Sequence, residues 1–230
     1  MRPAQLVFGF EHRPALVEES FLVAAENTEA VAWIDRWPDW PGRVLALHGP
    51  IGCGKTHLAH VWRRRSGADL LSASDLEESL LCTWSEAEPV VVVEDGNRVV
   101  DEAALFHLIN LVRENDGFLL LTSQAPPARW SVALPDLRSR LSAIQVVGIE
   151  RPGDDLIGAV LSKQFHDRQL AVPDDVIAYL VARMERSFAA VGSVVAALDD
   201  LSLAERRAIT MPLARHVLEA AQTELDLKGD

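Results

Sequence analysis

Lysine is scarce in this chain: only Lys55, Lys163 and Lys228 occur, and arginine supplies the rest of the positive charge. Against 22 Lys and Arg stand 34 Asp and Glu, a net charge of −12. A surface of that sign excludes broad contact with a nucleic-acid backbone, which requires a basic face. Cysteine is nearly absent as well. Cys53 and Cys82 cannot build a disulfide framework, so a reducing cytoplasm is the expected setting, and neither has zinc-site spacing. No apolar run approaches the roughly 20 residues of a membrane helix, and the first residues lack a charged-then-apolar leader. There is no internal repeat and no low-complexity tract. These absences leave a globular chain with no membrane partner, whose main partners are expected to be proteins.

What is present is apolar residue in quantity, 49% of 230 positions, enough for a sizeable core. The first sixteen residues carry no long apolar period and read as an extended arm. Phe21 to Trp37 is helix-like and stops at the Pro38, Pro41 and Gly42 break. Arg43 to His48 predicts a short buried strand, followed by a glycine-rich loop and a helix from Lys55 to Arg65, with Gly67 as its stop. Asp69 to Ser72 predicts a strand, and Ser74 with Glu77 predicts a capping box opening the next helix. Val90 to Val93 is a β-branched run of the kind covered on both faces. Asp101 to Asn115 is helical, with Leu105, Leu108, Ile109 and Val112 on one stripe. Phe118 to Thr122 and Ile144 to Ile149 supply two further strands. Strands alternating with helices predict a parallel sheet flanked by helices.

After Pro152 the pattern changes. Asp154 to Arg168, Asp174 to Arg186, Ala189 to Ala204 and Pro212 to Glu224 read as helices with no strand between them. The expected organisation is an arm over 1–16, an α/β domain over 17–150 and a small all-α domain over 151–230.

The chemistry begins at Gly49-Pro50-Ile51-Gly52-Cys53-Gly54-Lys55-Thr56, which fits the phosphate-loop pattern G-x-x-x-x-G-K-[ST]. Glycines let backbone N–H groups curl around phosphate oxygens, and a helix starting at Lys55 points its positive end at the same anion. In that pattern Lys55 reaches the β and γ oxygens and Thr56 ligates Mg²⁺. Such a site also needs carboxylates at a strand's end, and Glu94 and Asp95 stand there. The usual order is Asp first, holding the metal, and then the residue that polarises water. Here Glu94 takes the metal position and Asp95 the catalytic one, an inversion that favours binding over hydrolysis. Thr122 and Ser123 end another strand, where hydroxyls serve either a γ-phosphate or a turn. Arg138 and Arg140 lie on a short helix, and from spacing alone they read as surface arginines paired with acids.

Taken in order, GPIGCGKTHL, ADLLSASDL, VVVVED, LLLTSQAPP and LPDLRSRL resemble the bacterial replication-initiator family (DnaA) of AAA+ ATPases, over about residues 17 to 205. The resemblance implies an AAA+ sheet followed by a helical lid. It makes Arg140 an arginine finger acting on a partner's ATP, with Arg138 its less favoured neighbour. It brings Phe21 to Asn27 beside the adenine, and Gly49, Gly52, Cys53, Gly54, Lys55, Thr56 and His57 around ADP or ATP, with packing the expected task of His57. An arginine usual in the lid is missing, with Gly192 or Ala190 in its place.

The sequence ends at Asp230, and no origin-reading helix-turn-helix, hence no direct sequence-specific DNA binding, is expected. The short form is similar to the Hda-type regulators, which promote hydrolysis of initiator-bound ATP together with the DNA-loaded sliding clamp. In that light Gln5, Leu6, Phe8 and Phe10 resemble a clamp-binding peptide, whereas by themselves they read as a strand or tail. The alternatives are a self-sufficient AAA+ ATPase such as a helicase-loading factor, and a small-molecule kinase. Whether the chain forms a homo-oligomer is left open.

Overall fold

The computed structural model describes residues 22–84, 88–205 and 207–228. The arm with Gln5, Leu6, Phe8 and Phe10, and also Phe21, lie outside them. The described chain falls into two compact units that divide between Glu150 and Arg151.

The first unit is a five-stranded parallel sheet in the order β2-β3-β4-β1-β5. Its strands are β1 (Val44–His48), β2 (Asp69–Ser72), β3 (Val90–Glu94), β4 (Phe118–Ser123) and β5 (Gln145–Gly148). Its helices are α1 (Thr28–Asp35), α2 (Lys55–Ser66), α3 (Glu102–Glu114) and α4 (Pro135–Ser142).

The strands read as unbroken apolar runs because successive side chains point to opposite faces and both faces are covered. Val44, Ala46, Val91, Val93, Leu119 and Leu121 pack with Leu105, Leu108, Ile109 and Val112 of α3 and Leu137 and Leu141 of α4. Leu45, Leu47, Val92, Leu120 and Val147 pack with α1 and α2 instead. Trp62 of α2 is fully buried there and stacks on Trp40 at 5.0 Å.

Three expected helices come out differently. The segment before Thr28 is a turn, because the Asn27 side chain accepts from Ala24 N–H and donates to Leu22 O, spending the helix's own groups. The Ser74 and Glu77 capping box does not form. Ser74 turns to Ser72 and Asp75, and short 3₁₀ turns at Ala73–Asp75 and Glu78–Trp84 replace a helix. The helix expected to reach Arg186 closes at Val181.

The second unit holds α5 (Asp154–Asp167), α6 (Asp174–Val181), α7 (Phe188–Glu205) and α8 (Met211–Lys228). They share a separate core that includes Ile157, Leu161, Phe165, Leu180, Val195, Leu198 and Leu213. Asp154, Asp155, Asp174 and Asp175 sit in first turns, where the helix dipole favours negative charge. Among the described residues no helix is long and apolar enough to cross a membrane.

Candidate phosphate-binding site

The loop between β1 and α2 is shaped by what its glycines permit. A Cβ on Gly49 would lie 2.2 Å from the Ile149 carbonyl oxygen, so only glycine fits between β1 and the end of β5. Gly52 and Gly54 take φ of +76° and +102°, the left-handed region that side chains avoid. Gly54 is the N-cap of α2 and brings no side-chain cap to it, so the N-terminus of a twelve-residue helix faces the loop. Gly49 N–H donates to Ser123 O at 3.2 Å, which ties the root of the loop to the end of β4.

Lys55 is the centre of this loop. It is only 8% exposed, and its Nζ donates to the Gly49 and Pro50 carbonyl oxygens at 2.8 Å each. No carboxylate pairs with it among the described residues. A nearly buried ammonium held by two carbonyls and a thiol, without a carboxylate and beside a helix N-terminus, fits the phosphates of a nucleotide. Cys53 lies 3.8 Å from Nζ; burial pushes its thiol up against the opposing pull of Lys55, so it fills space as a neutral group. Thr56 and His57 follow in the first turn, both exposed.

Glu94 and Asp95 are placed unequally. Glu94 Oε1 at the end of β3 is buried and accepts no hydrogen bond, as a carboxylate reserved for a cation would. Asp95 has a left-handed backbone, φ +54°, and its N–H donates to Thr122 Oγ1 at 3.3 Å. Its carboxylate turns aside to Arg98, 3.9 Å away. Thr122 and Ser123 face inward: the first receives Asp95 N–H and the second donates to Ala125 O at 2.7 Å. These bonds hold the strand ends together.

Two residues near this loop were missed by the motif. His48 directly precedes Gly49, and its pKa is lowered by burial first, then by the charges of Arg129 and Lys55. Arg129 stands at the end of a 3₁₀ turn after β4, in a stretch with no recognisable motif. The adjacency of His48 to the loop was readable; the approach of Arg129 depends on β4 lying beside β1.

Arg140 is elsewhere. It occupies the last turn of α4, just before β5, and Gln145 pairs with Leu45 near the start of β1. The phosphate loop leaves the other end of β1. Four residues of strand, about 13 Å, separate the two ends. Arg140 is exposed, and its charge depresses the Arg113 guanidinium at the end of α3, after burial has done so. Arg138 donates to Val132 O within its own unit. In the helical unit Arg186 is held by Asp154, Nε to Oδ1 at 2.6 Å and Nη2 to Oδ2 at 3.1 Å, and a Cβ on Gly192 would meet nothing.

Residues 154–218 match the family model of the Hda lid domain. An uncharacterised protein of Haemophilus influenzae is 28% identical over 184 residues, covering 75% of this chain and 80% of that one. Domain III of the Thermotoga maritima replication initiation protein DnaA superposes with a TM-score of 0.75 at 17% identity, over 91% of this chain and 98% of that domain. AMPPCP-bound DnaA from Aquifex aeolicus gives 0.64 at 17% identity, covering 81% and 67%. The Thermotoga maritima RuvB Holliday junction branch migration motor gives 0.67 at 16%, covering 86% and 70%. The fold is that of the AAA+ proteins.

Proposed function

We propose that this chain, a DnaA-related AAA+ protein with an Hda-type lid, is a negative regulator of replication initiation that supplies an arginine to ATP bound on the initiator. The observation that carries the reading is the position of Arg140, at the end of the sheet away from the chain's own phosphate loop. An exposed guanidinium placed there is of no use to a nucleotide in cis. It is available to the γ-phosphate of a neighbour, where charge builds in the transition state and one arginine is worth about 10³ to 10⁵ in rate.

The chain's own nucleotide, ADP or ATP, is held by Gly49, Gly52, Cys53, Gly54, Lys55 and Thr56, with His57 in the same turn; by the family resemblance Phe21 contacts the adenine. Mg²⁺ falls to Thr56 and Glu94; when bound, it neutralises phosphate charge. Asp95 is the candidate for polarising water. Its swing toward Arg98 and the arginine-free position 192 favour a nucleotide-bound switch with little turnover of its own. The segment Gln5, Leu6, Phe8 and Phe10 docks the chain on the sliding clamp, so that a protein of net charge −12 reaches DNA through a partner.

The test is hydrolysis of initiator-bound ATP in the presence of this chain and DNA-loaded clamp. Stimulation is expected with the native chain and is expected to vanish with Arg140→Ala, whose nucleotide affinity stays unchanged. Equal stimulation by the two proteins would overturn the assignment of Arg140.

A further inference from the structure

Resting on the reading of the Gly49–Thr56 loop as a nucleotide site, we infer that Arg129 is a further phosphate-binding residue, its guanidinium closing the mouth of the loop over the terminal phosphate of a nucleoside triphosphate. The sheet order places β4 against β1, with His48 opposite Ser123, and the Gly49 N–H bond to Ser123 O joins the two strand ends. The chain leaving β4 therefore emerges at the root of the phosphate loop.

That departing segment is pinned at several points. Ser123 Oγ donates to Ala125 O at 2.7 Å, Trp130 Nε1 donates to the same oxygen at 2.8 Å, and Arg129 N–H closes on Pro126 O at 2.8 Å. The Trp130 ring lies over Gly96, where a Cβ would come within 2.7 Å of it, so the segment is also locked to the end of β3. Arg129 is presented from a fixed turn beside the ends of β1, β3 and β4.

Its side chain is uncommitted. Arg43, Arg98, Arg168, Arg186 and Arg207 each reach a carboxylate. The exposed Arg129 makes no hydrogen bond or ion pair through its guanidinium among the described residues. Its charge is nevertheless felt at the loop, since it acts on His48 ahead of Lys55. The charges of Arg129 and Lys55 both act on His48 beside the loop, an arrangement short of one anion. Guanidinium geometry suits a phosphate bidentately.

The test is titration of the full chain with ATP, ADP and AMP, for the native protein, Arg129→Ala and Arg129→Lys, alongside melts without nucleotide. Arg129→Ala is expected to weaken ATP about tenfold and ADP less, to leave AMP unchanged, and to melt with the native protein. Arg129→Lys is expected to recover part of the loss. ATP affinity within twofold of native, or AMP weakened as much as ATP, would overturn the inference. A native chain that binds no adenine nucleotide would remove the site itself, and the inference with it.

Discussion

His48 shows how one residue reports on the loop it precedes. It enters the folded chain with a pKa below the ordinary histidine value, because burial disfavours the imidazolium and the Arg129 and Lys55 charges add to that. The unfolded chain therefore binds the proton more readily than the folded one. Stability from this residue is complete above about pH 6.5 and is lost as the pH falls below it. Melts between pH 7.5 and 5.5 are expected to show a decline that His48→Gln reduces. An identical decline in that variant would count against the account. Bound polyphosphate reverses the field at His48, and the same melts with ATP present are expected to be flatter.

At the scale of elements, the helix that carries Arg140 is set by a carboxylate from another helix. Glu102 in the first turn of α3 accepts Ala133 N–H at 2.9 Å and Leu134 N–H at 2.7 Å, the two residues that lead into α4. These bonds, Ala133 first, hold its carboxyl below the ordinary value of 4.5. The tie is complete above that value and is lost as the pH falls through the lowered pKa. Glu102→Ala is expected to speed hydrogen exchange at Ala133 and Leu134 and to reduce the stimulation of initiator-bound ATP hydrolysis, with nucleotide affinity preserved. Unchanged exchange at both amides would remove Glu102 from this role.

The strands and α2 to α4 were legible because their signals are local: apolar runs for a doubly covered sheet, Asp101 capping Ala104, Gly67 closing α2. The misreadings were local as well, but of another kind. Asn27 and Ser74 bonded to nearby backbone and side-chain groups in place of helical ones, a competition that spacing alone does not decide. The candidate loop Gly49 to Thr56 could be read as a unit because its parts are consecutive. The nearness of Arg129 to that loop could not be read, since it runs through the pairing of β1 with β4, which lie far apart in the sequence.

For the whole molecule, the two units have cores that share no residue: every member of the helical unit's core lies at or beyond Ile157, and every member of the sheet's two cores lies at or before Ile149. A segment with its own apolar interior is expected to fold alone. Residues 151–230 expressed separately should give a helical circular dichroism spectrum and a cooperative melt; a featureless spectrum would show that its core needs the sheet.

The sheet unit also has a head and a tail. The Gly49–Thr56 loop lies at the end where the strands finish, and Arg140 at the end where they begin. A body built this way meets its neighbour nose to tail, and such contacts are not self-complementary. On the proposed reading, the chain engages the initiator through the Arg140 end alone. That docking then has a direction, set by the end of the sheet at which Arg140 stands.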